Sequence, residues 1–357
     1  MKILYATALT PIFLLFFSVS EAKILRIGYP GVALAETDYA TFALAHNAAA
    51  PGDTIQIYGV VSSGSTVTKR LVIQGFGYNL DMATGLQAIT GYTEDAPSQV
   101  PLTFQTGSEY SIAEGLQITS LIIQASNITI RRCRIINSVA GVGLSANVQD
   151  VDFHSCVFVY AFNVGASAYK STGIRFYNCI MFGIVVTNTA SSVTLLNCSS
   201  PEAGGVFNFG GASALVKNCI LNFNNNTSAN ANAVYENNIF FASQPTTLPT
   251  GNNNVWGQTV ATVYNRLGGA SNNPSLPSNP AFDEAWYELK PGSSPALNAG
   301  RNAAGEPTNC GIYGGEPVYG YRKGGLPAIP SIYQLTAPST NTTGGTYNIT
   351  ISVKSNN

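Results

Sequence analysis

The sequence predicts an all-β protein built as a solenoid of parallel strands, on three observations from residues 126–241. First, this region repeats itself six times with a period near 20 residues. Second, each repeat contains a short strand in which apolar and polar residues alternate. Third, one position is cysteine in five repeats and asparagine in the sixth: Cys133, Cys156, Cys179, Cys198, Cys219 and Asn238. Repeats of this length stack edge to edge, because neighbours contact only each other along one axis.

The alternation assigns each strand residue to a face. The residues five and three positions before the aligned cysteine are apolar, as Ile174 and Phe176 are in the third repeat, and should point inward. The residues four and two positions before it should point outward. Coil by coil, this outward set is Thr129 and Arg131, Asp152 and His154, Arg175 and Tyr177, Thr194 and Leu196, Leu215 and Lys217, and Val234 and Glu236.

Residues 1–22 are predicted to be a signal peptide. Lys2 precedes an apolar run over residues 3–17, and Ser20 and Ala22 provide the small residues of a cleavage site. An uncleaved anchor is the alternative, but the run is shorter than the ~20 residues that a membrane span needs. We therefore expect an exported protein, secreted or at the cell surface, with no membrane span after cleavage.

The composition argues against a charged macromolecular partner. Only 10% of the 357 residues are charged, with 17 basic against 18 acidic residues. A chain so close to neutrality has no global field to attract nucleic acid, so we expect no such partner.

Residues 23–124 should open the solenoid. Residues 23–28 read as a strand, and Thr37 and Asp38 as the cap of a helix that ends near Ala50. Residues 53–59 and 69–77 read as strands, residues 82–113 as a loop-like insertion, and residues 116–124 as the return of the coils. His46, on the helix, is predicted to be structural.

The order of a capping helix, PGDTIQIYG and RLVIQGFG resembles the start of right-handed parallel β-helix proteins of the pectate-lyase-like superfamily. Residues 287–300 and 310–315 are similar to the closing segment of secreted bacterial β-helix repeat proteins. The resemblance implies a right-handed parallel β-helix domain over residues 23–325. It implies the fold and not the function, because this superfamily includes lyases, hydrolases, adhesins and inert spikes.

Residues 326–357 are predicted to form a C-terminal β-hairpin tail. Its strands are residues 331–335 and 347–353, and Ile349, Ile351 and Val353 alternate with polar residues on the second strand. That apolar face needs a cover. Either the hairpin folds back on the solenoid, or the tail adds a strand to a partner.

The cysteines and asparagines are predicted to form two ladders. Cysteines in an exported protein suggest disulfides, but parallel side chains on stacked strands do not converge as a disulfide requires. We expect buried thiols, with no evident partner for Cys310. The asparagines that precede the aligned position should each bond to the turn above or below; they are Asn178, Asn197, Asn218 and Asn237.

The candidate site lies on the outward face. Arg131, Asp152, His154, Arg175 and Tyr177 should share one patch about 10 Å high, two strand spacings, and Lys217 completes the candidate ligand-binding set. The resemblance implies catalytic candidates here, because lyases of this fold place cations and bases on an outward sheet face. On that view Arg175 neutralises a uronate, and Asp152, His154 or Tyr177 acts as the base or acid. The alternatives are a ligand-contacting face without catalysis and an ordinary solvated face.

Two classes of function remain open. The first is a noncatalytic, exported β-helix that binds a polysaccharide or has an extracellular structural role. The second is a polysaccharide lyase or glycoside hydrolase that acts on an acidic polysaccharide. The sequence has no phosphate loop, zinc spacing or nucleophile elbow, so we expect neither a cofactor nor a metal.

Overall fold

The computed structural model describes residues 22–28, 38–62, 64–78, 98–136, 142–165, 168–200, 207–222, 232–244, 250–265, 282–315, 321, 323–326, 331–336 and 349–354. These residues form a parallel β-solenoid of about 7 turns with few helices. Residues 1–21, most of the predicted signal peptide, lie outside this part of the chain. No helix among the described residues is long and apolar enough to cross a membrane.

The strands are short and follow one another closely along the chain. The first eight are β1 (Ile24–Ile27), β2 (Asp38–Tyr39), β3 (Thr54–Ile57), β4 (Ser65–Val67), β5 (Val72–Gln74), β6 (Gln99–Phe104), β7 (Ile112–Glu114) and β8 (Gln117–Ile123). The next eleven are β9 (Ile128–Arg131), β10 (Arg134–Ile135), β11 (Val142–Leu144), β12 (Val148–His154), β13 (Val157–Phe158), β14 (Phe162–Val164), β15 (Ser171–Tyr177), β16 (Ile180–Met181), β17 (Ile184–Val186), β18 (Ser192–Leu196) and β19 (Phe207–Asn208). The remainder are β20 (Ser213–Lys217), β21 (Ile220–Leu221), β22 (Ala233–Glu236), β23 (Ile239–Phe240), β24 (Thr250–Asn252), β25 (Gly300–Arg301), β26 (Pro307–Thr308), β27 (Ser331–Thr336) and β28 (Thr350–Lys354).

The first sheet is the longest stack of strands. In the described residues it has 12 strands, in the order β2-β1-β3-β5-β7-β9-β12-β15-β18-β20-β22-β24. Strands β10, β13 and β16 form a second stack, and β11, β14, β17 and β19 form a third, both joined to β8. Every neighbouring pair in the first sheet is parallel, as expected for coils that wind in one direction.

The register confirms the predicted inward face. Phe153 pairs with Ile130 on one side and with Phe176 on the other. Phe153 and Phe176 stack with ring centroids 4.8 Å apart, and Phe158 and Phe162 meet Phe176 edge-on. All four rings are fully buried, so the core is aromatic where these two coils meet.

The cysteines confirm the predicted ladder of buried thiols. All six cysteines, Cys310 included, are free and buried. The Cys179 thiol donates to the carbonyls of Phe153 and Tyr177 at 3.5 and 3.3 Å, so each thiol is satisfied by backbone instead of by another sulfur. The Cys310 thiol donates to the Asn237 carbonyl at 3.1 Å.

The N-terminal helix is confirmed, but its predicted cap is wrong. Helix α1 (Phe42–Ala48) begins after Thr41, whose hydroxyl accepts from the Leu44 N–H. Asp38 lies instead in β2, where its carboxylate accepts from Arg26 Nε at 2.7 Å. The helix packs on β1, β2 and β4 at the end of the solenoid. His46 Nε2 accepts from the Thr68 N–H, which agrees with a structural role.

The predicted insertion over residues 82–113 is wrong for its second half. Residues 99–104 form β6, which pairs with β4 and β8, and β7 joins the first sheet. The register shifts between Val100 and Pro101, because proline cannot donate a ladder hydrogen bond. Because of this proline and register shift, the sequence does not show the regular pattern from which the other strands were predicted. Residues 79–97 lie outside the described residues.

A second apolar core joins the outside of the solenoid to residues 282–326, which we call the closing segment. Val157, Ile180, Ile220 and Ile239, on the short strands, pack against apolar residues of the closing segment. Those residues include Phe282, Tyr287, Ala296 and Ile312. Helix α2 (Val260–Val263) and the 3₁₀ turn Glu284–Tyr287 belong to this layer.

The asparagines do not all form the predicted ladder. Each has positive φ, from 52° at Asn178 to 57° at Asn218, a conformation that asparagine tolerates better than most residues. Of the four side chains, only that of Asn237 bonds to the next turn, where its Oδ1 accepts from Asn253 Nδ2 at 3.2 Å. The other three bind carbonyls of the closing segment: Asn218 binds Arg301, Asn197 binds Asn309, and Asn178 binds Ile312 and Gly314. The prediction is wrong for these three because their partners lie about 80 to 140 residues away, with sequence separations of 83, 112, 134 and 136.

The C-terminal hairpin forms as predicted. Strands β27 and β28 are antiparallel, with Ile332 opposite Val353 and Leu335 opposite Ile351. The expected cover is not seen, since Ile349, Ile351 and Val353 are 54%, 55% and 56% exposed.

Candidate functional site

The first sheet brings five of the predicted site residues together on its outer face. Asp152 pairs with Arg175 on the next strand, and His154 pairs with Tyr177 on that strand and with Arg131 on the previous one. The register also places Glu114 beside Arg131. We call these six residues the outer patch: Glu114, Arg131, Asp152, His154, Arg175 and Tyr177.

Arg175 is held by two carboxylates. Its Nε and Nη2 donate to the two oxygens of Asp152 at 2.5 and 3.2 Å, and its Nη1 donates to Asp150 Oδ1 at 3.0 Å. The hydrogen bonds to Asp152 raise the pKa of Arg175 above its ordinary value. This bidentate geometry is the strong form of an arginine–carboxylate pair. The charge of Arg175 is therefore neutralised within the protein.

Arg131 is paired with a single carboxylate. Its Nη2 donates to Glu114 Oε2 at 2.8 Å, and Arg132 Nη1 approaches Glu114 Oε1 at 3.5 Å. Glu114 is only 1% exposed, so its carboxylate lies on the outer side of the sheet but does not face solvent. Glu114 and Asp150 were not among the site residues predicted from the sequence. One signal in the sequence could have identified Glu114. Ala113 matches the inward position of the later repeats, and Glu114 then takes the outward position that Arg131 has in the next coil.

His154 and Tyr177 form a stacked ring pair. Their centroids are 4.6 Å apart with an interplanar angle of 6°. His154 is 7% exposed, whereas Tyr177 is partly exposed. Burial, assisted by the nearby Arg131 and Arg175, lowers the pKa of His154 to about 4 against the opposing effect of Asp152. The imidazole is therefore neutral at pH 7.

Lys217 lies outside the outer patch. It pairs with Leu196, which in turn pairs with Tyr177, so Lys217 is two strands from the ring pair. Two strand spacings are about 10 Å. Lys217 also pairs with Glu236 on its far side. The apolar Leu196 thus separates this lysine from the other candidates.

These contacts bear on what the outer patch can do chemically. A lyase needs a cation to neutralise the uronate and a base whose pKa suits proton abstraction. Here the two guanidinium groups are already paired, and the imidazole is buried with a low pKa. Among the described residues, no group of three or more His, Cys, Asp and Glu could hold a metal ion. What the outer patch offers to a ligand is a partly exposed ring with fixed polar groups beside it.

No family model matches this chain, and no curated protein matches it. The assignment of the fold as a parallel β-solenoid therefore depends on the structure alone.

Proposed function

We propose that the protein is exported and binds a polysaccharide on the outer patch without cleaving it. The observation that carries this proposal is the stacked pair of His154 and Tyr177 beside the fixed Arg175–Asp152 pair. An aromatic ring packs on the apolar face of a sugar, and rigid polar groups at its edge bind the hydroxyls. The predicted signal peptide and pectate-lyase-like segments support an extracellular setting.

The pairing of both arginines favours binding over lyase chemistry. A uronate at Arg175 would compete with Asp152 and Asp150 for the same guanidinium donors. To act as the base, His154 would have to abstract a proton although its own pKa is about 4 and its side chain is only 7% exposed. Both features favour a surface that contacts hydroxyl groups.

The test is a screen of the mature protein against neutral and acidic polysaccharides for binding and cleavage together. We expect binding with no product, and Tyr177→Ala should weaken it by about fivefold, since a stacking aromatic contributes roughly 1 kcal/mol. Tyr160→Ala is the matched control, because Tyr160 is 42% exposed and lies outside the first sheet. Equal binding by both variants would overturn the proposal. Unsaturated uronate, detected by ultraviolet absorbance and absent with Arg175→Ala, would make the protein a lyase.

A further inference from the structure

A small open pocket with polar lining residues lies beside the outer patch, at the start of strands β12 and β15. It has a volume of 260 Å³ and is lined by Ser126, Asn147, Gln149, Lys170 and Thr172. Gln149 of β12 and Thr172 of β15 are register partners, so they form its floor side by side. This volume is just below the range of pockets for drug-sized ligands, and it suits a single sugar ring.

The lining residues provide hydrogen-bond donors and no carboxylate. The Asn147 Oδ1 accepts from the Lys170 N–H at 2.6 Å, and Ser126 Oγ accepts from the Gln149 N–H at 2.9 Å. Within the described residues, the Gln149 amide, the Thr172 hydroxyl and the Lys170 ammonium make no side-chain hydrogen bond to the protein. Amide and hydroxyl groups that are free to bond, together with one ammonium, are complementary to an anionic group that also carries hydroxyls.

A backbone irregularity connects the pocket to the outer patch. Asp150 and Gly173 lie opposite each other, both with positive φ, at 55° and 66°. A Cβ on Gly173 would lie 2.7 Å from Asp150 Oδ1, and the positive φ of this residue favours glycine. The same oxygen accepts from Arg175 Nη1. Thr172 precedes Arg175 by three residues, so the pocket and the outer patch lie roughly 10 Å apart along the strand.

We propose that this pocket binds an acidic sugar unit, carrying a carboxylate or a sulfate, of the glycan whose neighbouring units lie on the outer patch. Only the placement of the neighbouring units on the outer patch depends on the proposed function; binding of an acidic sugar unit in the pocket does not. The outer patch has no unpaired guanidinium to recognise a negative charge, whereas the pocket contributes Lys170. The pocket thus supplies recognition of charge and the patch supplies recognition of sugar rings.

The experiment uses a matched pair of ligands with the full mature chain. One is an oligosaccharide of alternating uronate and neutral sugars, and the other is the same oligosaccharide with its carboxylates reduced to alcohols. A sulfated neutral oligosaccharide forms a third arm, which separates recognition of sulfate from recognition of carboxylate. Wild-type protein should bind an acidic form about tenfold more tightly than the reduced form, the contribution of a charge-assisted hydrogen bond. That preference should decrease as salt is added.

Lys170→Gln should abolish the preference for the acidic form and leave the affinity for the reduced form unchanged. Lys290→Gln, which removes the same charge at another exposed lysine, should change neither affinity. A preference that persists in Lys170→Gln, or no preference in the wild type, overturns the inference.

The two proposals fail in different ways. If both forms bind equally and Tyr177→Ala weakens both, the pocket is wrong and the proposed function stands. If Lys170→Gln removes binding and Tyr177→Ala does not affect it, binding in the pocket is supported and binding on the outer patch is contradicted. If neither form binds, both are wrong.

Discussion

Phe176 and Tyr177 are neighbours in the sequence and lie on opposite faces of one strand. Phe176 is fully buried among three phenylalanine rings, so Phe176→Asp should cost more than ~3 kcal/mol of unfolding free energy, because the carboxylate has no partner there. Thr194→Asp is the control, since Thr194 pairs with Arg175 on the outer face. It should cost less than ~1 kcal/mol. Denaturant unfolding that ranks the two the other way round would place the register one residue off.

Glu284 is a carboxyl group buried where the closing segment meets the solenoid. Its Oε1 accepts from the Tyr78 hydroxyl at 2.5 Å, and both oxygens approach the Gly324 N–H, at 3.3 and 3.2 Å. Burial raises the pKa of Glu284 from 4.5 to about 7, although Tyr78, Tyr321, Gly324 and Arg134 oppose this rise. The folded state therefore retains a proton that the unfolded state has lost between these two pH values.

Glu284→Gln should remove this pH dependence. In the wild type, the contribution of Glu284 to stability is full below pH 4.5 and is lost as the pH rises through 7. Relative to the wild type, the glutamine variant should thus gain stability over this window. Urea unfolding of both proteins from pH 4 to 8 measures the difference in their free energies of unfolding. His154 has a lowered pKa and therefore changes stability with pH in the opposite direction, but its effect is the same in both proteins and cancels in the difference. A difference that is constant with pH would contradict this expectation.

At the scale of elements, Asn178 joins one turn of the solenoid to the closing segment. Its amide donates to the carbonyls of Ile312 and Gly314 at 2.8 and 2.9 Å, and its φ is 52°. Asn178→Gly keeps the backbone conformation and loses both bonds. Asn178→Ala loses the bonds and keeps a Cβ in the left-handed conformation, at a cost of about 1 kcal/mol relative to the glycine variant.

Both Asn178 variants should therefore be less stable than the wild type, and the alanine variant should be the less stable of the two. Amide exchange in the closing segment near Ile312 should also become faster in both. Wild-type exchange rates in Asn178→Gly would show that the two hydrogen bonds do not hold this segment.

The stacked cysteines predict a simple result in solution. Native protein should show few reactive thiols, and unfolding without reductant should expose all six, because none forms a disulfide. Cys179→Ser should cost roughly 1–3 kcal/mol, since it places a more polar group in a fully buried position. Fewer than six thiols after unfolding would contradict the ladder.

How much the sequence predicts depends on how local the signal is. The coils that carry Phe153 and Phe176 were predictable because alternation within seven residues assigns every side chain to a face. Strand β6 was not, because Pro101 disrupts both its composition and its register. The outward position of Arg175 was predictable, but its pairing with Asp150 depends on a local irregularity that the sequence does not reveal. The partners of Asn178 were beyond prediction, since they lie more than 130 residues away.

At the scale of the whole molecule, the hairpin tail should be dispensable for folding. More than half the surface of Ile351 and Val353 is exposed, so these side chains do not contribute to the core of the solenoid. A chain that ends at residue 326 should keep the melting temperature of the wild type and expose less apolar surface to a hydrophobic dye. A large fall in melting temperature would show that the tail packs on the solenoid. Loss of association with another protein, at unchanged stability, would support addition of a strand to a partner.

The closing segment has a consequence for how the molecule unfolds. In an ordinary solenoid each repeat interacts only with its neighbours, so end repeats can fray independently. Here the segment runs back along the stack and binds Asn218 through Arg301, Asn197 through Asn309, Asn178 through Gly314 and Arg132 through Leu326. Coils that are not neighbours in the stack are thus hydrogen-bonded to the same closing segment. We therefore expect the described coils to unfold as one cooperative unit, in one transition where a stack without this segment would show several.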